Sequence, residues 1–405
     1  MTEPSSPCPT AVMWDERFLS YDFGPDHPFT EKSRALAVHL LLEAGFFAGP
    51  PSGGPGILRA TVPPATEEEL ELFHTRSYLR QIHAAGRQSP PPLLDGGDTP
   101  AFPGCFEASA HIVGGTLSAL RTVLEGTVRH ACNPAGGLHH AAADRASGFC
   151  IFNDVGVAIR EALRHAPRIR RVAYVDIDAH HGDGVMYAFY DDPRVLCIDF
   201  HQDGRTLFPG TGRISETGGP SAPQSKVNVP LPPGAGDETF QPLFSTLVPP
   251  LLRDFRPDLI VLQNGLDGHG GDPLAQLQYT PSSYELAVRI LHDLAHELCD
   301  GRLLQTGGGG YDPRNVSRGL ARSIARLAGW PLPRPPMSEL PHLWRQEYHR
   351  ILGQEAPTLW DELPAPGLSP GDPKGWERIL MELSRALGRG PFQDTGSRSS
   401  PARTR

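Results

Sequence analysis

The sequence predicts a single α/β domain built on a parallel sheet, and three observations predict it. Short apolar runs alternate with helical patterns across most of the 405 residues, the signature of repeated βα units. The four clearest runs each end in polar or glycine residues, which is the edge where open parallel sheets bind ligands. A chain of this length with 39% hydrophobic residues buries a large core, enough for one big domain.

In chain order, "AVMW" (11–14) is a first, weaker strand candidate, followed by the amphipathic stretch "EKSRALAVHLLLEAG" (31–45), read as a helix. Segments 46–66 and 88–104 are Gly/Pro-rich without periodicity and read as loops. "TVRHACNPA" (127–135) is a second weaker strand, and "NDVGVAIREALRHA" (153–166) a helix. "RVAYVDID" (171–178) and "RVLCIDFH" (194–201) are strands. The stretch 201–237 has no periodicity, and a loop of that length in a compact domain is read as a pocket wall. "DLIVLQNG" (258–265) and "RLLQTGG" (302–308) are the last strands. Between them "SSYELAVRILHDLAHELCDG" (282–301) is a helix stopped by Asp300-Gly301. After Trp330 the pattern weakens into "PLPRPP" and two short helix candidates. The expected division is a main domain over 1–335, a helical extension packed on it over 336–388 and a disordered tail over 389–405.

Composition excludes several function classes. The formal net charge is −9 and no Lys/Arg block occurs, so the electrostatic footprint of a nucleic-acid binder is missing. The opening "MTEPSSPCPTAV" lacks a basic and an apolar signal region, and no run of about 18 apolar residues exists to span a bilayer. A cytoplasmic protein without a membrane partner is expected. Lys32, Lys226 and Lys374 are the only lysines, which reads as the codon bias of a GC-rich bacterial genome. Cys8, Cys105, Cys132, Cys150, Cys197 and Cys299 form no CxxC pair, so a disulfide framework or thiolate metal site is not expected.

Chemistry gathers at the strand ends. "YVDIDAHHGDGV" (174–185) begins as a buried strand and then collects Asp176, Asp178, His180, His181 and Asp183. Alternate strand residues share a face, so Asp176 and Asp178 point the same way and His180 joins them where the strand ends. A divalent metal would stabilise such buried anions. A solvated strand end with ordinary ion pairs is the competing reading, weakened because "LQNGLDGHGGDP" offers Asp267 at a second strand end. In "GGLHHAAADRASGFCIFND" (136–154), the adjacent His139 and His140 each need partners for two ring nitrogens. Asp176 and Asp183 are candidates for orienting them as His–Asp pairs, the arrangement general acid/base work requires. The four glycines of "TGGGGYDP" (306–313) lack a phosphate-loop register; they suit close backbone approach, with Tyr311 delivered at the rim to polarise a carbonyl.

Together with "YDFGPDHPF", "GGDTPAFPGCFEAS" and "FHQDG…LFPGTG", these stretches appear in one order over residues 14–335, and that order resembles the arginase/histone-deacetylase superfamily. Within it the match is to the zinc-dependent deacetylases, most closely the bacterial acetoin-utilisation type. The resemblance implies one α/β domain with a mostly parallel eight-stranded sheet flanked by helices, the catalytic unit being residues 1–335. It implies Asp178, His180 and Asp267 as metal ligands, His140 paired with Asp183 as general base and then acid, His139 paired with Asp176 as electrostatic partner, and Tyr311 as hydrogen-bond donor to the acyl oxygen. Phe149, Phe208 and Leu274 would wall a tunnel for the stem of an acylated lysine, Gly148 would flank it, Asp98 would grip the substrate backbone at the rim, and Arg34 would line an inner channel. A structural potassium ion (K+) would be held by Asp176, Asp178, His180, Asp199 and Phe200, with a weaker second site at Phe189, Asp192 and Val195. The catalytic ion would be zinc (Zn2+), although one imidazole and two carboxylates suit iron (Fe2+) as well.

Two departures stand out. Leu266 occupies a position where many relatives have alanine, an expectation of a narrower pocket or altered acyl preference. Asp199 replaces a common serine at the inner potassium site. An arginase-like two-metal hydrolase would need D-x-H-x-D and a second D-x-D, which positions 178–183 and 265–267 do not supply. An acetylpolyamine amidohydrolase is the main competing activity, and a non-catalytic acyl-lysine binding module a lesser one. The expected reaction is hydrolysis of N-ε-acetyl-lysine in a protein or peptide; no oligomeric state is specified.

Overall fold

The computed structural model describes residues 9–48, 56–60, 62–330, 339–360 and 375–388; the expected tail over 389–405 lies outside them. The strands are β1 (Thr10–Met13), β2 (Ile57–Ala60), β3 (His130–Asn133), β4 (Val172–Asp176), β5 (Val195–Gln202), β6 (Lys226–Leu231), β7 (Leu259–Gln263) and β8 (Leu303–Thr306). The helices are α1 (Lys32–Glu43), α2 (Glu67–Leu70), α3 (Arg76–Ala85), α4 (Cys105–Leu124), α5 (Asp154–His165), α6 (Asp183–Ala188), α7 (Asp237–Phe255), α8 (Pro281–Leu298), α9 (Pro313–Leu327), α10 (His342–Leu352) and α11 (Gly375–Ala386). Among the described residues, the strands form one eight-stranded sheet in the order β2-β1-β3-β8-β7-β4-β5-β6, and every neighbouring pair is parallel.

The central strands are buried on both faces, which is why their sequences run apolar without alternation. One helical row is α1, α9, α8 and α7, each packed on the next; α4 and α5 pack together elsewhere on the sheet. Because all strands are parallel, the loops after β3, β4, β7 and β8 emerge side by side at one edge. The chain leaves β3 and returns to β4 across β8 and β7, and such a reversal of strand order opens a crevice at that edge.

Helix starts follow local chemistry. Asn153 caps α5 by accepting from Gly156 N, while Asp312 and Thr280 cap α9 and α8 ahead of prolines that need no hydrogen-bonded N–H. The expected strands and the helices at 31–45, 153–166 and 282–301 all form, with ends shifted by a few residues. Two loop expectations are corrected: β2 lies inside 46–66, and β6 lies inside 201–237 as an edge strand whose pairing with β5 tolerates Pro230. After Trp330, α10 packs on α1, where Trp344 Nε1 donates to Leu36 O at 2.8 Å, and α11 packs on α7 and β6.

Candidate active site

Pairing of β4 ends at Asp176, and the next four residues turn across the sheet edge. Asp176 is fully buried; its Oδ2 accepts from Tyr174 OH at 2.5 Å and lies 2.8 Å from His139 Nδ1. Asp178 also approaches His139, its Oδ1 3.9 Å from His139 Nε2 and accepting from His180 N at 2.9 Å, while its Oδ2 accepts from Gly309 N at 2.7 Å. The two carboxylates thus share neighbours while making different hydrogen bonds, Asp176 to His139 and Tyr174 and Asp178 to the backbone of His180 and Gly309. Asp267, delivered after β7, accepts from Ala179 N at 2.7 Å with Oδ1 and lies 2.8 Å from His180 Nδ1 with Oδ2. Each of these two carboxylates is therefore locked by a backbone amide from a different strand's loop.

Asp178, His180 and Asp267 are all buried, and their ligand atoms lie within 4.8 Å of one another. The donor set fits a divalent cation: two carboxylate oxygens and one imidazole nitrogen converge where little water can reach. The electrostatics point the same way. Burial opposes a charged His180, yet its hydrogen bonds to Asp178 and Asp267 raise its pKa to about 10. Burial and the charge of Asp178 push Asp267 up to about 7. Paired anions in this position draw in positive charge.

The glycine run is explained by contact. A Cβ at Gly309 would lie 2.0 Å from Asp267 Oδ2, and one at Gly308, whose φ is 143°, 2.8 Å from Asp178 Oδ2. The carboxylates pack directly on this backbone, so a side chain would displace them.

Beside the centre, His140 Nδ1 lies 2.7 Å from Asp183 Oδ1, and the Nε2 atoms of His139 and His140 converge to 3.1 Å. Burial lowers the pKa of His140, as does neighbouring His139, with Asp183 acting against them. These influences favour the neutral imidazole, the form that accepts a proton. Tyr311 stands across the centre, its ring 6.2 Å from that of His180; burial, then the charges of Asp267 and Asp178, hold its hydroxyl protonated.

Phe149 and Phe208 approach from two sides, Phe149 6.0 Å from the Tyr311 ring and Phe208 5.1 Å from the His140 ring. Gly148 lies between, where a Cβ would meet His140 Cδ2 at 2.6 Å and Phe208 Cε1 at 2.8 Å. Phe208 and Leu274 are 45% and 38% exposed, as residues at a mouth would be, and Asp98 is exposed on the neighbouring loop. Buried Arg34 donates to Thr30 O and Gly308 O at the inner side, where Phe29, Leu138 and Cys150 help line a narrow pocket behind the histidines.

Several supporting residues escape sequence reasoning. Phe149 adopts a left-handed φ of 66°, costly for a side chain of that size. Tyr21 OH donates to Phe149 O and accepts from Ile151 N, while Thr99 Oγ1 accepts from Phe149 N and donates to Asp95. Asp154 accepts from Gly137 N and Leu138 N, orienting the His139–His140 loop. Asp272 accepts from Tyr311 N and Leu274 N, joining two parts of the rim. Most of these bonds reach backbone distant in sequence, so the role of each residue is not visible from its own neighbours, although Asp272 also accepts from nearby Leu274 N.

The departures also resolve. Leu266 points at α9, its Cδ1 2.6 Å from where a Cβ at Gly319 would stand, so the larger residue is housed by a glycine rather than by a narrowed pocket. Asp199 lies 2.6 Å from His201 Nδ1 and accepts from Gly182 N, so its charge is shared with a buried imidazole. The Phe200 ring sits in the core against Phe240 and Phe244, leaving only its backbone to any cation. At the weaker second site, Phe189 lies under the Arg160 guanidinium and Asp192 is paired with Arg194. There Lys226 Nζ donates to Val195 O at 2.8 Å, so a buried ammonium already supplies positive charge.

Comparison with known proteins decides the family. The histone deacetylase domain model matches residues 27–327. The chain belongs to the histone deacetylase family. It is 37% identical over 388 residues to acetoin utilization protein AcuC of Bacillus subtilis (strain 168), covering 93% of this chain and 96% of that relative. The AcuC proteins of Staphylococcus xylosus and Staphylococcus aureus (strain MSSA476) are each 33% identical over 87% of the chain and 90% of their own length. This histone deacetylase family member is accordingly a hydrolase, with the single parallel sheet of that fold. The family is generally metal-dependent, and Asp178, His180 and Asp267 form a group able to hold an ion. Among the described residues, no helix is long and apolar enough to cross a membrane.

Proposed function

We propose that this protein hydrolyses the amide of N-ε-acetyl-lysine in a protein or peptide, using a zinc ion held by Asp178, His180 and Asp267. The observation that carries this reading is the doublet of histidines, each anchored at Nδ1 by its own carboxylate, whose Nε2 atoms meet 3.1 Å apart beside the ligand set. When bound, the ion supplies Lewis-acid polarisation of the amide carbonyl and makes a water molecule more acidic. His140, neutral and oriented by Asp183, takes the proton of the attacking water and passes it to the departing amine. His139, backed by Asp176, stabilises the charge that develops on its neighbour. Tyr311 donates its hydroxyl hydrogen to the acyl oxygen as negative charge grows there. Phe149 and Phe208 hold the methylene stem and exclude water, Leu274 extends this wall, Gly148 gives it room, and Asp98 accepts from the substrate backbone.

Residues 1–335 form the catalytic domain in this reading and 336–388 a packed extension. A potassium ion near Asp176, Asp178, His180, Asp199 and Phe200 is the structural partner, and the cytoplasm the setting. The name of the relatives, acetoin utilization protein, supports a lysine on a metabolic protein as substrate. The test is a panel of lysine peptides bearing acetyl and longer acyl groups, alongside acetylated polyamines, with metal content measured on the same sample. Turnover of acetyl-lysine peptides that tracks zinc content is the expected result. Turnover of polyamines alone would overturn the substrate assignment, and full turnover after exhaustive chelation would overturn the mechanism.

A further inference from the structure

At the opposite edge of the sheet, three histidines meet that play no part in the reaction. His130 is the first residue of β3, and His292 and His296 lie one helical turn apart on α8, so both project from the same face. Their ring centroids are 4.5, 4.8 and 5.0 Å apart, and one nitrogen from each falls within 4.8 Å of the others. His130 is fully buried, and its ring nitrogens make no well-formed hydrogen bond, only poorly aligned contacts with the backbone of Arg129 and Gly301. A buried imidazole so poorly satisfied costs free energy and needs a reason.

We propose that His130, His292 and His296 bind a borderline transition-metal ion of the zinc, nickel or cobalt type, clamping β3 to α8 away from the active site. His292 Nδ1 lies 3.0 Å from Leu327 O, the backbone contact that fixes the tautomer of a metal-ligating histidine and leaves Nε2 with its lone pair free. With bonds of about 2.0–2.1 Å, tetrahedral binding asks for nitrogens about 3.3 Å apart, a closing of up to about 1.5 Å within reach of side-chain rotation. His296 is exposed, which provides the entry path and a water for the fourth position. Gly301, at φ +80°, makes room for it, since a Cβ there would lie 3.0 Å from His296 Cε1. Arg129 and Asp293 act on His296 with opposite signs, so the nearby cation is offset.

The experiment uses tag-free full-length protein, stripped by chelation, titrated with Zn2+ and then desalted for metal counting. Two ions per chain are expected in the parent, one in His296→Ala and one in Asp267→Ala, each variant having lost a different site. Zinc is also expected to raise the melting temperature of Asp267→Ala, and this rise is expected to vanish when His296→Ala is added. His296→Ala should turn over substrate at the parent rate, because the clamp is remote from the chemistry. No ion in Asp267→Ala, or an unchanged count and affinity in His296→Ala, would overturn the proposal, whereas an unchanged count in Asp267→Ala alone would tell against the zinc ligands of the proposed function and not against the clamp. None of these outcomes bears on the acetyl-lysine assignment.

Discussion

His140 is held at one nitrogen by Asp183 and pointed at the reaction centre with the other, so the two residues make separable predictions. Replacing His140 by Ala removes the proposed proton acceptor and should lower kcat by about 10²- to 10⁴-fold with little change in KM, read by steady-state kinetics. Asp183→Asn keeps an acceptor but removes a charge that raises the His140 pKa, which burial and His139 already hold below 6.5. In the proposed mechanism the neutral imidazole is the working form, so the acidic limb of kcat/KM should move to lower pH in this variant, with a weaker base and a lower plateau. A limb that stays or moves up would show that Asp183 does not tune the base. The His–Asp pairings could be read in the sequence from the excess of carboxylates around "HH", but not the clamp on Phe149. Tyr21, Thr99 and Asp95 reach it only through folded backbone.

At the scale of elements, glycine contacts separate fold from site. Gly114 in α4 lies against a loop, where a Cβ would stand 2.0 Å from Pro63 O. Gly114→Ala should therefore cost about 1–3 kcal/mol through overpacking, despite alanine's better helix propensity, seen as a lower melting temperature. Gly309→Ala instead drives a methyl against Asp267, and should reduce bound metal and turnover together when both are measured on one preparation. Helices α4, α7 and α9 are not legible in the sequence, each for its own reason. α4 is buried nearly all round, with adjacent glycines, so it lacks an amphipathic stripe. α7 contains Pro242, Pro249 and Pro250, which read as breakers, yet buries Phe240, Leu243, Phe244, Leu247, Leu251 and Leu252 on one side. α9 does carry a start signal, Asp312-Pro313, but it sits directly behind the glycine run and reads as part of that turn.

For the molecule as a whole, the helices after Trp330 belong to the packed structure. Trp344 of α10 is fully buried against α1, and Trp344→Ala should cost about 3–5 kcal/mol in denaturant unfolding, with the active-site pairings intact in the surviving folded fraction. All strands being parallel places the catalytic groups at one edge and the three-histidine cluster at the other, so a change at either edge should leave the other's metal content unaltered.

The sequence by itself determined the strand cores, the order of the polar strand ends and the residue types of the centre, because apolar periodicity and ligand chemistry are local properties. Only the tertiary structure decided that Tyr21 and Thr99 clamp Phe149, that Gly319 houses Leu266, that Lys226 sits on the Val195 carbonyl and that His130 meets α8. Those pairings join residues far apart along the chain, and their distances follow from sheet order and helix packing, which no local pattern encodes.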